Sequence, residues 1–141
     1  MSISQIVIDT NVVIAALRSK RGASYKLLML LGSDRLEVHI SIPLALEYED
    51  AAKRLLGSIA LSADEIEDIL DYIFFVANYH QIFYLWRPFL KDPKDDMVLE
   101  LAVKSHCDWI VTYNKNDFQG IERFGIGVMT AKEFLQKIGE L

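Results

Sequence analysis

Acidic residues carry the chemistry that can be read from this chain: Asp9, Glu47, the adjacent Asp95 and Asp96, and Asp117. Asp9 ends the apolar, β-branched run Ile3 to Ile8, and Glu47 falls early in a helix opened by Ser41 and Pro43. Asp95 and Asp96 open a later helix, and Asp117 follows a strand ending at Thr112. Carboxylates crowded together repel and raise one another's pKa unless a cation neutralises them. No Cys or His stands at these places, so the donors are all oxygen, a set that suits Mg²⁺ or Mn²⁺ far better than zinc or copper. Around one or two such ions, carboxylates polarise a phosphodiester, activate a water and stabilise the leaving oxygen, and hydrolysis of a nucleic-acid backbone follows. Each acid also has a plainer use. Asp9 could cap a helix, Asp95 and Asp96 could face a helix's positive end, Glu47 could pair at the surface, and Asp117 could shape a turn.

Only the fold can gather acids so far apart in sequence. The spacing predicts strands at Ile3–Ile8, Leu36–Ile40, Gln81–Tyr84, Trp109–Thr112 and Ile126–Met129. Helices are expected over Val12–Leu17, Ser24–Leu31, Pro43–Leu55, Ile66–Ala77 and from Lys94 or Asp95 to His106, with a last one after Thr130. Ser62 with Glu65 and Thr130 with Glu133 have the form of capping boxes. Alternating strands and helices specify an α/β fold, a central parallel sheet with helices on both sides. Right-handed crossovers then bring every strand-to-helix connection to the carboxyl edge, where ligands bind. Four successive connections each deliver a carboxylate to that edge.

The length of 141 residues fits a single domain over 1–141, and 52% hydrophobic residues suffice for a core. The 20 acidic residues outnumber 15 basic ones, a net charge of −5 that argues against a surface coated with phosphate-binding cations. Cys107 is the only cysteine, so there is no internal disulfide and no thiolate metal cage. With no membrane-length apolar run and no secretory leader, a cytoplasmic location is expected.

The ordered segments Ile6-Val7-Ile8-Asp9-Thr10-Asn11-Val12, Ser41-Ile42-Pro43-Leu44-Ala45-Leu46-Glu47-Tyr48, Asp92-Pro93-Lys94-Asp95-Asp96-Met97-Val98-Leu99 and Trp109-Ile110-Val111-Thr112-Tyr113-Asn114-Lys115-Asn116-Asp117-Phe118 resemble those of PIN domains. These are metal-dependent ribonucleases, commonly the toxins of VapBC-type toxin-antitoxin pairs. The resemblance implies a three-layer α/β/α fold and Mg²⁺ or Mn²⁺ held by Asp9, Glu47 and Asp96. Asp96 is preferred to Asp95 from its distance to Ala102 and Thr112. The family often carries an acid two residues after the strand-ending Thr, where this chain has Asn114, which leaves the fourth carboxylate to Asp117 or to neither. Asn11 and Thr112 would orient the acids by hydrogen bonds. RNA, a small antitoxin and a second copy in a homodimer are the implied partners, with the wide apolar stripe from Ile66 to Tyr79 available for the last.

Arg18, Lys20 and Arg21, with Lys94 and Lys115, are the candidate phosphate contacts and carry little base specificity. The aromatic group Tyr79, Phe83, Tyr84, Trp86 and Phe89 could stack on bases, although core or subunit packing is the commoner use. His39, His80 and His106 read as structural. Two other functions remain open. A phosphotransferase of the haloacid dehalogenase type would need Asp two residues after Asp9, where Asn11 stands. A scaffold that binds RNA or protein without cutting is kept open by Asn114.

Overall fold

A computed structural model describes residues 3–82 and 88–141. The elements run β1 (Ser4–Ile8), α1 (Thr10–Arg18), α2 (Ala23–Met29), β2 (Leu36–Ser41), α3 (Ile42–Lys53), α4 (Ala63–Val76), β3 (Asn78–His80), α5 (Pro93–Lys104), β4 (Trp109–Val111), β5 (Gly127–Met129) and α6 (Ala131–Lys137). Two 3₁₀ turns, Lys115–Phe118 and Ile121–Phe124, lie between β4 and β5.

The five strands form one sheet in the order β3-β2-β1-β4-β5, with every pairing parallel. Parallel strands need covered faces, and β1 shows the consequence: Ile6, Val7 and Ile8 are all buried, so the strand reads as a continuous apolar run without alternation. Helix α5 packs on β1, β2 and β4, while α1 packs against α2 and α3. This is an α/β/α arrangement, the parallel sheet between helices that the alternating pattern predicts. The strand order reverses direction beside β1: β2 and β3 build outward on one side, and β4 and β5 on the other. The carboxyl ends of β1 and β4 therefore flank the switch point at which ligands bind in open parallel sheets.

Local chemistry fixes the helix starts. Ser41 caps α3 with Pro43 in its first turn, and both predicted capping boxes form, Ser62 with Glu65 and Thr130 with Glu133. Gly127 is dictated by a close approach, since a Cβ there would meet the Trp109 ring at 2.2 Å. Strand β3 departs from expectation. It occupies Asn78–His80, three residues before the predicted start at Gln81, because α4 ends at Val76 and the chain enters the sheet after the single cap residue Ala77. Phe83 and Tyr84 of the expected strand lie outside the described residues. Among the described residues no helix is long and apolar enough to cross a membrane.

Candidate active site

Asp9 leaves β1 as the N-cap of α1, and its Oδ1 accepts the Thr10 N–H at 2.8 Å. Its Oδ2 accepts the Thr112 hydroxyl at 2.8 Å and the Asn11 amide at 3.4 Å. Thr112, fully buried at the end of β4, also accepts Asn11 Nδ2 at 3.2 Å and the Asn114 N–H at 3.1 Å. Asn11 Oδ1 in turn accepts the Tyr113 N–H at 3.1 Å. Asn11 and Thr112 thus lace the ends of β1 and β4 together and hold the Asp9 carboxylate between them.

Above this floor lies a cavity of about 180 Å³, lined by Asp9, Glu47, Asp92, Asp95, Asn114 and Asp117, with Lys94 beside them. Asp9 comes from the β1 edge, Glu47 from α3, Asp95 from the first turn of α5, and Asp117 from the turn after β4. Their mutual influence is visible in proton affinity. Burial raises the pKa of Asp9; the Thr112 and Thr10 hydrogen bonds lower it, while Asp117 and Glu47 push it further up, and the balance is upward. Burial, then Asp9, Asp117, Asp92 and Asp96, raise Asp95 to about 6. The one ammonium among them, Lys94, meets Glu47 Oε1 at 3.4 Å from a largely solvated position. Among the described residues no three acidic, His or Cys side chains are already gathered closely enough to enclose an ion.

The two adjacent acids of α5 divide their tasks. Asp96 is 6% exposed, and its Oδ1 accepts the Leu90 N–H at 2.8 Å and the Phe89 N–H at 3.2 Å. It pins the chain entering α5 and does not line the cavity. Asp95 does line it, so in this geometry the neighbour of the sequence-preferred Asp96 is the one that faces the other acids. The physical reason is the helix turn: consecutive residues point about 100° apart.

Arg18, Lys20 and Arg21 stand at the end of α1 and in the turn before α2, all exposed and none lining the acid cavity. Lys20 and Arg21 border a separate hollow with Gly22, Tyr25 and Lys26. Lys115 is bound to Glu133 at 2.9 Å. Phe89 packs edge-on against Phe124 at 5.2 Å, with the Arg123 guanidinium over it. Tyr79 is exposed on β3, and Trp86 lies with Phe83 and Tyr84 outside the described residues. His39 Nδ1 and His80 Nε2 are 2.7 Å apart across β2 and β3, away from the acids, and His106 turns α5 toward β4 with a φ of 55°.

Sequence reasoning missed Tyr48, which is fully buried and donates its hydroxyl to the Ile8 carbonyl, fixing the peptide before Asp9. Burial, then Asp9, hold its pKa well above the usual phenol value. Its position directly after Glu47 was the available signal. Asp92 was missed as well: it caps α5 through the Lys94 N–H at 2.9 Å and lines the cavity.

The profile described as "PIN domain" matches residues 5–116 of this chain. A search of solved structures finds similarity to a chain in the crystal structure of VapBC2 from Rickettsia felis bound to a DNA fragment from their promoter. The TM-score is 0.62 at 14% sequence identity, covering 89% of this chain and 98% of that one. No curated protein matches.

Proposed function

The chain belongs to the PIN domain family, and on that premise we propose that it is a divalent-metal-dependent endoribonuclease, the toxin of a toxin-antitoxin pair. The observation that carries this reading is the cavity at the switch point, where four connections contribute Asp9, Glu47, Asp95 and Asp117 and Lys94 is the one cationic residue among the described residues that line it. The donor set fits a hard cation: all candidate ligating atoms are oxygen, and burial, with neighbouring carboxylates adding to it, raises the pKa of Asp9 and Asp95, a cost that a bound cation would offset. Mg²⁺ or Mn²⁺ held by these four residues would supply Lewis-acid activation of water and offset charge developing on the phosphate.

The chain's own residues do the rest. Thr112, Asn11 and the Thr10 N–H fix the Asp9 carboxylate, so its geometry is set before substrate arrives. Asp96 stays a positioning residue, holding the segment that leads Asp95 to the cavity. Lys94, together with Arg18, Lys20 and Arg21, contacts substrate phosphates. The fold shared with the VapBC2 chain supports an antitoxin partner, and the exposed Phe75 on α4 supports a homodimer contact. Asn114 favours a second reading, a scaffold that binds RNA without cutting, because it lines the cavity as a neutral amide.

Cleavage of a mixed RNA pool separates the two. Purified protein with Mg²⁺ or Mn²⁺ should cut RNA, EDTA should abolish cutting, and Asp9→Asn and Asp95→Asn should each reduce it by at least about a hundredfold while remaining folded. Asp96→Asn should retain most activity. A folded protein that cuts nothing under any of these conditions would sink the nuclease reading and leave the scaffold.

A further inference from the structure

We propose that Tyr113 is a stacking platform for a nucleobase of single-stranded RNA beside the acid cavity, a subsite that deepens the ribonuclease reading and rests on it. Tyr113 follows Thr112 directly and is 45% exposed, an unusual place for a large aromatic side chain that packs no core. Yet it is held at both ends. Its N–H donates to Asn11 Oδ1 at 3.1 Å, and its hydroxyl lies 2.6 Å from the hydroxyl of Ser24 on α2. Ser24 is 2% exposed, so the far end of the phenol is tied to a buried anchor. An exposed ring with its position fixed in this way loses little further entropy when a flat ligand settles on it.

The position suits a nucleic-acid strand. On one side Tyr113 joins Asn11 and Asn114, both of which line the cavity; on the other it reaches α2 just beyond the exposed turn that carries Lys20 and Arg21. A strand with one phosphate at the acids and neighbouring phosphates on Lys20 and Arg21 therefore passes the ring. Every base offers a π-face, so the subsite would retain the strand without selecting its sequence. The phenol remains with its hydroxyl on Ser24 while its exposed face meets the base.

The test uses the full-length chain in EDTA, which prevents cleavage, and short single-stranded RNAs carrying 2-aminopurine at successive positions. One position should be quenched by the wild-type protein and by Tyr113→Phe, which keeps the ring, and not by Tyr113→Ala. In cleavage assays Tyr113→Ala should raise KM about tenfold with little change in kcat, the scale of one base stacked on an aromatic ring. Thermal melting confirms that each variant is folded. Quenching that survives in Tyr113→Ala, quenching lost equally in both variants, or an unchanged KM overturns the subsite. Quenching is read without turnover, so a protein that quenches through Tyr113 but hydrolyses nothing overturns the nuclease reading alone. Metal-dependent cleavage without quenching overturns the subsite alone.

Discussion

Asp95 concentrates the electrostatic strain of the site. Its folded pKa of about 6 lies above the ordinary carboxylate value of 3.8, so the fold disfavours its ionised form. The sign follows: the folded protein binds the proton more tightly than the unfolded chain, and this group costs stability above pH 6, progressively less as pH falls from 6 toward 4. Removing the charge should then stabilise. Without divalent ions, Asp95→Asn is expected to melt a few degrees above wild type at pH 7.5, with the gap closing by pH 4.5. A gap that is absent at pH 7.5, or that widens on acidification, would show that burial and the neighbouring acids do not penalise the Asp95 carboxylate. Buried Glu100 repeats the logic one helical turn beyond Asp96. Its Oε2 has no hydrogen-bond partner among the described residues, and burial followed by Asp96 raises its pKa. Glu100→Gln should therefore raise the melting temperature at neutral pH more than at pH 4.5.

Helix α5 shows what an element adds to its residues. The two consecutive acids were legible as a pair, but their division of labour was not. Val98, Leu99, Glu100, Leu101 and Ala102 are all buried, so the apolar pattern runs most of the way round the helix and cannot orient it. Only docking on β1, β2 and β4 decides that Asp95 faces the cavity and Asp96 the incoming chain. Strand β3 was displaced for a related reason: the sequence from Ala77 to Tyr84 carries no Gly or Pro to mark where α4 gives way to the sheet. By contrast Asp9 was legible, because a buried strand ending abruptly in an acid admits few alternatives. The Asp96 assignment has a direct check. Asp96→Ala removes the acceptor of two N–H groups and should cost about 1–3 kcal/mol in chemical denaturation, whereas Asp96→Asn keeps an oxygen at the same place and should cost less. Equal losses in both variants would mean that charge, not hydrogen bonding, is what Asp96 supplies.

At the scale of the molecule, the sheet explains why a chain of net charge −5 gathers still more negative charge at one edge. Crossovers of one hand place all strand-to-helix connections together, and the reversal beside β1 opens a gap between the ends of β1 and β4 into which α3 and α5 bring their own acids. The folded state alone assembles this set, since Asp9 and Asp117 are distant along the unfolded chain. A cation that needs several of these oxygens must therefore bind the folded protein preferentially and stabilise it by mass action. At an ion concentration about ten times the dissociation constant the gain is about 1.4 kcal/mol, which for a domain of this size raises the melting temperature by roughly 4 °C. Titrating Mn²⁺ into wild type should produce that rise and EDTA should reverse it, while Asp9→Asn and Asp95→Asn begin from a higher melting temperature and respond weakly. The opposite starting shift and the lost response together separate a cation site from general screening of an acidic protein, which would raise all three melting curves alike. Equal shifts in wild type and both variants would thus remove the cation from the cavity and, with it, the argument that the four carboxylates act as one site.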